Sequence, residues 1–174
     1  ISFPFAERRI DATALSQPLF AVLPSDVSAG HPDADVVTNE DALYTRLKEW
    51  LFDSNLVLVV ASLHRAAGAS IKISRNAVAF ACAQAFHQLY SEVEDPLRLV
   101  SEANAFFDDP SSMVYKQITM EVFEHRDRRV FLARRLGCCL ARRVERAQGY
   151  CFNCILTPRT QQAQLFREML ENLP

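Results

Sequence analysis

The chain has 174 residues, of which 49% are hydrophobic and 23% charged, and its formal net charge is −2 at pH 7. These proportions are those of an ordinary globular domain with a sizeable core, and a small disulfide-rich scaffold would be shorter and richer in cysteine. The four glycines are too few for the loops that cradle nucleotide phosphates, so a Rossmann or P-loop site is excluded as well.

The beginning of the chain is rich in turn-forming residues, with Pro4, Pro18, Pro24 and Pro32 among them. Proline fixes φ and has no N–H, so this spacing predicts an irregular N-terminal arm over residues 1–37. We expect a helical body over residues 38–136, followed by a cysteine loop and a C-terminal helix over residues 137–174. The three parts are expected to form a single domain.

Two helices are predicted at the start of the helical body. Thr38 or Asn39 is a suitable N-cap for a helix that continues to about Asp53. The next segment, Leu56–Ala67, is apolar on nearly all sides and is followed by Gly68, a common helix terminator. The length of this segment favours a central helix over a buried strand.

A longer helix is predicted over about Arg75–Val93 from a single apolar face. The face comprises Val78, Ala81, Cys82, Ala85, Phe86 and Leu89. Buried cysteine behaves as a small hydrophobic residue, so Cys82 is interpreted as a packed core thiol and not as a metal ligand.

A short helix is expected after Asp95-Pro96 and up to Phe107. The last helix is expected after Thr157-Pro158, which combines an N-cap residue with a proline at the first helical position. This last helix has four apolar residues that can pack back onto the core: Phe166, Met169, Leu170 and Leu173.

Another helix is predicted between these two, over about residues 111–136. Val114, Ile118 and Val122 recur at every fourth residue, which indicates a helical face, and Gly137 is a suitable end for the helix. Together the elements predict a mainly α fold: a compact helical domain with at most a small β element, closed by a C-terminal cysteine-rich loop.

The compartment is inferred from the cysteines and the apolar runs. Five cysteines cannot all pair with one another, and a secreted disulfide scaffold would be smaller, so we expect a reducing, cytoplasmic location. The longest apolar run, Leu56 to Leu63, is too short to span a bilayer.

The most informative feature is a group of four cysteines near the C-terminus: Cys138, Cys139, Cys151 and Cys154. Two adjacent thiols are followed by eleven residues and a Cys-x-x-Cys unit, whose short spacer lets two thiolates converge on one metal ion. Neighbouring side chains diverge, so Cys138 and Cys139 suit one tetrahedral zinc less well than the two irons of a [2Fe–2S] cluster. On this chemistry a [2Fe–2S] cluster, a zinc site, and disulfide-bonded or free thiols all remain open.

The cysteines lie in the basic part of the chain. Residues 1–110 carry a net charge of −7 and residues 111–174 a net charge of +5. Eight arginines lie between Arg126 and Arg146. They form either a solvated helix face or a surface for an anion or a redox partner.

Two short motifs resemble a known family. The sequence is Arg-Arg-Leu-Gly-Cys-Cys-Leu at residues 134–140 and Gly-Tyr-Cys-Phe-Asn-Cys at residues 149–154. This pattern resembles the C-terminal motif of the FhuF-like ferric-siderophore reductases, in which a Cys-Cys pair, a spacer and a Cys-x-x-Cys unit hold a [2Fe–2S] cluster. The likeness covers about residues 131–156, and the helices upstream carry no motif.

The resemblance implies that Cys138, Cys139, Cys151 and Cys154 ligate a [2Fe–2S] cluster and that the activity is one-electron reduction of a ferric siderophore. Fe(III) is a hard ion held by oxygen ligands, and one added electron weakens that ligation and releases iron as Fe(II) in the cytoplasm. No catalytic acid or base is needed beyond the cluster.

The resemblance also implies two partners: a ferric siderophore, with a hydroxamate favoured, and a separate electron donor such as a ferredoxin or a flavoprotein. Cationic groups favour the reduced, more anionic form of a cluster. Five arginines are therefore candidates for tuning its potential or for docking the donor: Arg134, Arg135, Arg142, Arg143 and Arg146.

Two other functions remain open. One is a zinc-stabilised four-cysteine interaction module, and the other is an iron–sulfur electron carrier or sensor without siderophore activity. Nucleic acid is not an expected partner, because the chain is acidic overall and aromatic residues are not interleaved with the arginines.

Overall fold

The computed structural model describes residues 19–140, 143, 150 and 153–172, together with the backbone of residues 5–6 and 9–10. The chain divides into two compact units, Ile1–Asp53 and Ser54–Pro174. Helices dominate the described residues, and one hairpin provides the longest strands. The prediction of a mainly α fold is therefore confirmed.

The N-terminal unit contains two small pairs of strands and one helix. β1 (Phe5–Ala6) pairs antiparallel with β2 (Arg9–Ile10), and β3 (Phe20–Val22) pairs parallel with β4 (Ala34–Val36). These strands of two or three residues are the regular structure described in the segment expected to be an irregular arm. α1 (Glu40–Lys48) begins as predicted, since the side chain of Asn39 accepts a hydrogen bond from the N–H of Ala42 at 2.9 Å.

In chain order, α1 is followed by a π-helical segment, Glu49–Leu56, and then by α2 (Val57–Ala67). α2 ends at Gly68 as predicted, and the φ of 64° there is a left-handed conformation that glycine adopts without strain. The expectation that this helix is central is wrong: within α2, Val60 is the buried residue, whereas Leu58 is 59% exposed. A segment that is apolar on every side has no periodicity to show which side packs.

The C-terminal unit is built around the hairpin of β5 (Ile118–His125) and β6 (Arg128–Arg135). Two helices, α3 (Ile71–Leu89) and α4 (Pro96–Phe107), pack on one face of the hairpin, and α5 (Arg159–Glu171) packs on the other. Successive residues of β6 point to opposite faces, and both faces are covered, so four consecutive residues from Val130 to Ala133 are buried.

The side chains of β6 show which layer each face contacts. On the α5 side, one buried cluster comprises Val130, Leu132, Phe166 and Leu170. On the α3 side, the ring of Phe131 lies 5.2 Å from the ring of Tyr90, which directly follows α3. The core of the unit therefore lies on both sides of β6.

The hairpin replaces the helix predicted over residues 111–136, so that prediction is wrong. Ile118 and Val122 are four residues apart, and this even spacing places them on one face of a strand as well as on one face of a helix. The chain reverses at Arg126-Asp127, where Arg126 has a φ of 57° and His125 pairs with Arg128. Neither turn residue is the glycine that commonly marks such a hairpin in a sequence.

α3 begins at Ile71, before the predicted start, and buries a different face. Its buried residues are Asn76, Ala79 and Ala83, whereas Ala81 and Ala85 of the predicted face are exposed. Alanines recur at every second position from 77 to 85, so they lie all round the helix and do not define one apolar face.

The two remaining helices start and end close to the predicted positions. α4 follows Asp95, whose side chain accepts hydrogen bonds from the backbone N–H groups of Leu97 and Arg98 at 3.1 Å and 3.0 Å. α5 follows Pro158, and its residue Phe166 is fully buried. Leu173 lies outside the described residues. Among the helices that the structure describes, none is long and apolar enough to cross a membrane.

Candidate metal centre

The paired cysteines follow β6 closely. Cys138 and Cys139 come three and four residues after the strand ends, and both are half-buried. The backbone N–H of Leu140 donates to Cys138 Sγ at 3.4 Å, and the φ of 57° at Leu140 turns the chain directly after the pair. The first thiol of the pair thus accepts a backbone hydrogen bond, as the sulfurs of metal-bound cysteines commonly do.

Cys154 lies just before α5 and is only 8% exposed. Its carbonyl oxygen accepts a hydrogen bond from the backbone N–H of Thr157 at 3.0 Å and another from Gln162 Nε2 at 2.6 Å. The backbone of Cys154 is therefore anchored to the first turn of α5. Cys151, the other cysteine of the Cys-x-x-Cys unit, lies outside the described residues.

Gln162 connects the two halves of the cysteine motif. Its side-chain oxygen accepts a hydrogen bond from Arg134 Nη1, and its side-chain nitrogen donates to the carbonyl of Cys154. Arg134 also pairs with Glu121 across the hairpin. Arg134 lies near the end of β6, shortly before Cys138, and Gln162 contacts both Arg134 and Cys154. These contacts therefore bring both halves of the motif to the same end of the hairpin.

Arg135 points to the opposite face of β6 and contacts α3. Its Nη1 donates to Asn76 Oδ1 at 3.1 Å, and its guanidinium lies 3.6 Å from the ring centroid of Phe80. Asn76 Nδ2 donates to the carbonyl of Gln117 at 3.3 Å. A Cβ atom at Gly137 would lie only 2.7 Å from Asn76 Nδ2, so α3 packs directly against the residue before Cys138.

The other three predicted arginines follow the paired cysteines in the sequence. Arg143 is exposed, and its backbone N–H donates to the carbonyl of Leu140 at 2.8 Å. Arg142 and Arg146 lie outside the described residues. Of the five candidates, Arg134 and Arg135 are thus half-buried with interior partners, and Arg143 is on the surface.

Within the described residues, which include Cys138, Cys139 and Cys154 but not Cys151, no group of three or more His, Cys, Asp or Glu side chains is arranged to hold a metal ion. The four described cysteines, Cys82, Cys138, Cys139 and Cys154, are not in disulfides. Thiols without disulfide partners are the donors that a [2Fe–2S] cluster or a structural zinc requires, so the residues fit either group in kind.

Two buried donors that are close to the cysteines in sequence strengthen this fit. Arg135 Nε and Thr157 Oγ1 have no hydrogen-bond partner among the described residues. Arg135 comes three residues before Cys138, and Thr157 comes three residues after Cys154 and is 5% exposed. A buried donor without an acceptor is destabilising, so one at each half of the motif fits a site completed by an anionic, sulfur-rich group.

Cys82 is separate from this site. It is half-buried on α3, and burial raises the pKa of its thiol from 9.0 to about 11. A buried, uncharged thiol packs as a small hydrophobic side chain. This agrees with its interpretation as a packed thiol.

Three residues of the site were not predicted: Asn76, Thr157 as a buried donor, and Gln162. For Gln162 the sequence contains a usable signal, because it stands four and eight residues before Phe166 and Leu170 on the apolar face of α5. Asn76 is 62 residues away from Cys138 along the chain, so no local pattern could connect them.

No family model, no curated protein and no solved structure matches the chain. The resemblance to the FhuF-like ferric-siderophore reductases therefore rests on the cysteine motif and the residues around it.

Proposed function

We propose that the chain binds a [2Fe–2S] cluster through Cys138, Cys139, Cys151 and Cys154 and reduces ferric siderophores by one electron. The observation that carries the proposal is the contact of Gln162 with both Arg134 and the backbone of Cys154. This contact connects the end of β6, which precedes Cys138, to the segment that contains Cys154. The described thiols are free of disulfides, and an unsatisfied buried donor occurs within three residues in sequence of each half of the motif.

A bound [2Fe–2S] cluster supplies a site that stores and passes on a single electron. The chain's own residues hold it, exclude water from one side of it and set its electrostatic surroundings. Cys154 is almost fully buried, whereas Cys138 and Cys139 are half-buried, so the pair lies nearer the solvent. The paired cysteines are therefore the side of the site that a bulky iron chelate would approach.

The reaction consumes one electron for each iron. Fe(III) in the siderophore is reduced to Fe(II), the siderophore oxygens bind the less charged ion more weakly, and iron leaves to other ligands. The electron comes from a separate donor, such as a ferredoxin or a flavoprotein in the cytoplasm. Hydroxamate siderophores are the favoured substrates on the family resemblance.

The first test is the metal content and visible spectrum of anaerobically purified protein, before and after dithionite. We expect about two irons and two sulfides per chain and a red-brown colour that bleaches on reduction. Cys139→Ser is expected to lose the cluster. Cys82→Ser is the matched control, because it removes a half-buried thiol on α3 and should keep full iron content.

The second test adds a ferric hydroxamate to the reduced protein in the presence of an Fe(II) chelator. Reoxidation of the protein with about one Fe(II) released per chain supports the reductase. A stable cluster that no ferric siderophore reoxidises would instead indicate an electron carrier or sensor. A colourless protein with about one zinc would contradict the proposal and indicate the zinc-stabilised interaction module.

A further inference from the structure

Asn76 and Gln162 are buried polar side chains that lie on different helices, and neither belongs to the cysteine motif. Asn76 is 1% exposed on α3, and Gln162 is 5% exposed on α5. Burying an amide is unfavourable unless its hydrogen bonds are made, and an apolar residue of similar shape is often as stable. A buried amide therefore indicates a positioning role when its hydrogen bonds are all made to residues around one site.

Gln162 is hydrogen-bonded to the backbone of Cys154. The amide accepts from Arg134 and donates to the carbonyl of Cys154 at 2.6 Å, so both of its polar atoms are used. Arg134 is in turn held by Glu121 and lies 5.3 Å above the ring of Phe166. Cys154 is thus connected to β6 through Gln162 and Arg134, and each of these two side chains has a second partner that fixes it.

The contacts of Asn76 lead to the Cys138 pair. Its oxygen accepts from Arg135 at 3.1 Å and its nitrogen donates to the carbonyl of Gln117 at 3.3 Å. The same carbonyl accepts from the backbone N–H of Leu136 at 2.9 Å. With its amide also pressed against Gly137, Asn76 contacts the chain at the residues that lead directly into Cys138.

The two sets of contacts begin at adjacent residues. Side chains alternate across a strand, so Arg134 is directed towards α5 and Arg135 towards α3. One Arg-Arg dipeptide at the end of β6 therefore reaches both helices. Through Gln162 and Asn76 it reaches both halves of the cysteine motif.

We propose that Asn76 and Gln162 are positioning residues that hold Cys138, Cys139 and Cys154 in place for metal binding. Gln162 with Arg134 positions Cys154, and Asn76 with Arg135 positions Cys138 and Cys139. This inference rests on the metal site of the proposed function, but it requires neither iron as the metal nor a siderophore as the substrate.

The test is alkylation of the full-length chain by iodoacetamide, with each cysteine followed separately by mass spectrometry, as purified and after removal of its metal. Asn76→Ala should speed alkylation of Cys138 and Cys139, and Gln162→Ala should speed that of Cys154. The expected increase is roughly tenfold, the effect of a lost buried hydrogen bond on local opening. Cys82 on α3 is the internal reference for Gln162→Ala, whereas Asn76→Ala, on the same helix as Cys82, is compared with Asn104→Ala.

Asn104→Ala is the matched control. Asn104 is a half-buried asparagine that joins α4 to β5 through hydrogen bonds of 2.9 Å and 3.0 Å to the backbone of Met120, and its side chain is bonded away from the cysteine motif. Two conservative variants cover the case in which an alanine variant fails to fold. Asn76→Asp keeps the acceptor for Arg135 and should protect Cys138 and Cys139, whereas Gln162→Glu keeps the acceptor for Arg134 but should release Cys154.

Selective release of Cys154 by the Gln162 variants and of the Cys138 pair by Asn76→Ala, with a matching loss of bound metal, supports the inference. Equal acceleration at every thiol including Cys82, or the same pattern in Asn104→Ala, would show a general loss of stability and overturn it. A protein that purifies with zinc but shows the selective pattern would contradict the reductase and leave the positioning role intact.

Discussion

Gly137 is the residue at which packing on α3 meets the cysteine motif. It is buried, and a Cβ atom there would lie 2.7 Å from Asn76 Nδ2 and 3.2 Å from Asn76 Cγ. Asn76 cannot move away without breaking hydrogen bonds to Arg135 and Gln117. The absence of a side chain at position 137 is therefore a packing requirement.

Gly137→Ala is expected to lower the free energy of unfolding by about 1–3 kcal/mol, the range for overpacking beside a hydrogen-bonded group. Urea unfolding followed by circular dichroism measures the change. Gly30→Ala is the control, because a Cβ atom at Gly30 would have nothing within 4 Å. Equal effects of the two substitutions would contradict the close approach of Asn76 to Gly137.

Cys82 gives a second prediction at the residue scale, in alkaline solution. Burial raises the pKa of its thiol from 9.0 to about 11, so between these values the unfolded chain has lost a proton that the folded chain keeps. The free energy of unfolding therefore falls as pH rises through this window. Cys82→Ala should lose less stability there than the wild type, measured by urea unfolding below, within and above the window. Parallel pH profiles for the two proteins would show that the thiol is not buried.

At the scale of elements, the turn of the hairpin is locally strained. Arg126 has a φ of 57°, in the left-handed region that residues with a Cβ atom adopt at a cost. The Arg126–Glu171 ion pair, at 3.2 Å, involves side chains that are 73% and 43% exposed, so it contributes little. The strands compensate for the turn, because their register buries β6 on both faces.

Arg126→Gly is expected to raise the free energy of unfolding by roughly 0.5–1 kcal/mol, since relief of the left-handed strain exceeds the added freedom of the unfolded chain. Thermal or urea unfolding measures the gain. Arg126→Lys retains the Cβ atom and the charge and should show none. A gain with lysine, or none with glycine, would mean that the turn is not strained at this residue.

The elements that could be predicted from sequence are those with local capping chemistry. Asn39, Gly68 and Asp95 each mark a helix boundary in the structure, because a cap depends on residues within one turn. The hairpin was missed because its strand spacing of Ile118 and Val122 also fits a helix and because its turn lacks glycine. Local patterns cannot separate two structures that satisfy the same spacing.

The candidate site likewise has residues that can be predicted from local sequence and residues that cannot. The four cysteines stand out in the sequence because their chemistry and spacing are local. Asn76 and Gln162 reach them through packing of α3 and α5 on opposite faces of β6, which is a property of the fold. Residues that position a site from other elements become visible once the strand between them is known.

At the scale of the whole molecule, charge is separated along the chain. Residues 1–110 carry −7 and residues 111–174 carry +5, so the part that contains the cysteine motif is basic. Arg134 and Arg135 are occupied by interior partners, whereas Arg143 is exposed three residues after Leu140. Arg143 and Arg159 are thus exposed arginines close in sequence to the two halves of the motif, and Arg143 follows the paired cysteines.

Arg143→Gln is expected to slow reduction by an acidic ferredoxin about two- to fivefold at low ionic strength, because electrostatic attraction mainly raises the rate of association. The difference from wild type should shrink in roughly 0.5 M salt, where exposed charges are screened. Stopped-flow absorbance measures both rates. Arg65→Gln removes an exposed arginine on α2, in the acidic part of the chain, and should leave the rate unchanged. If the two variants behave alike, the donor does not dock beside the cysteine motif.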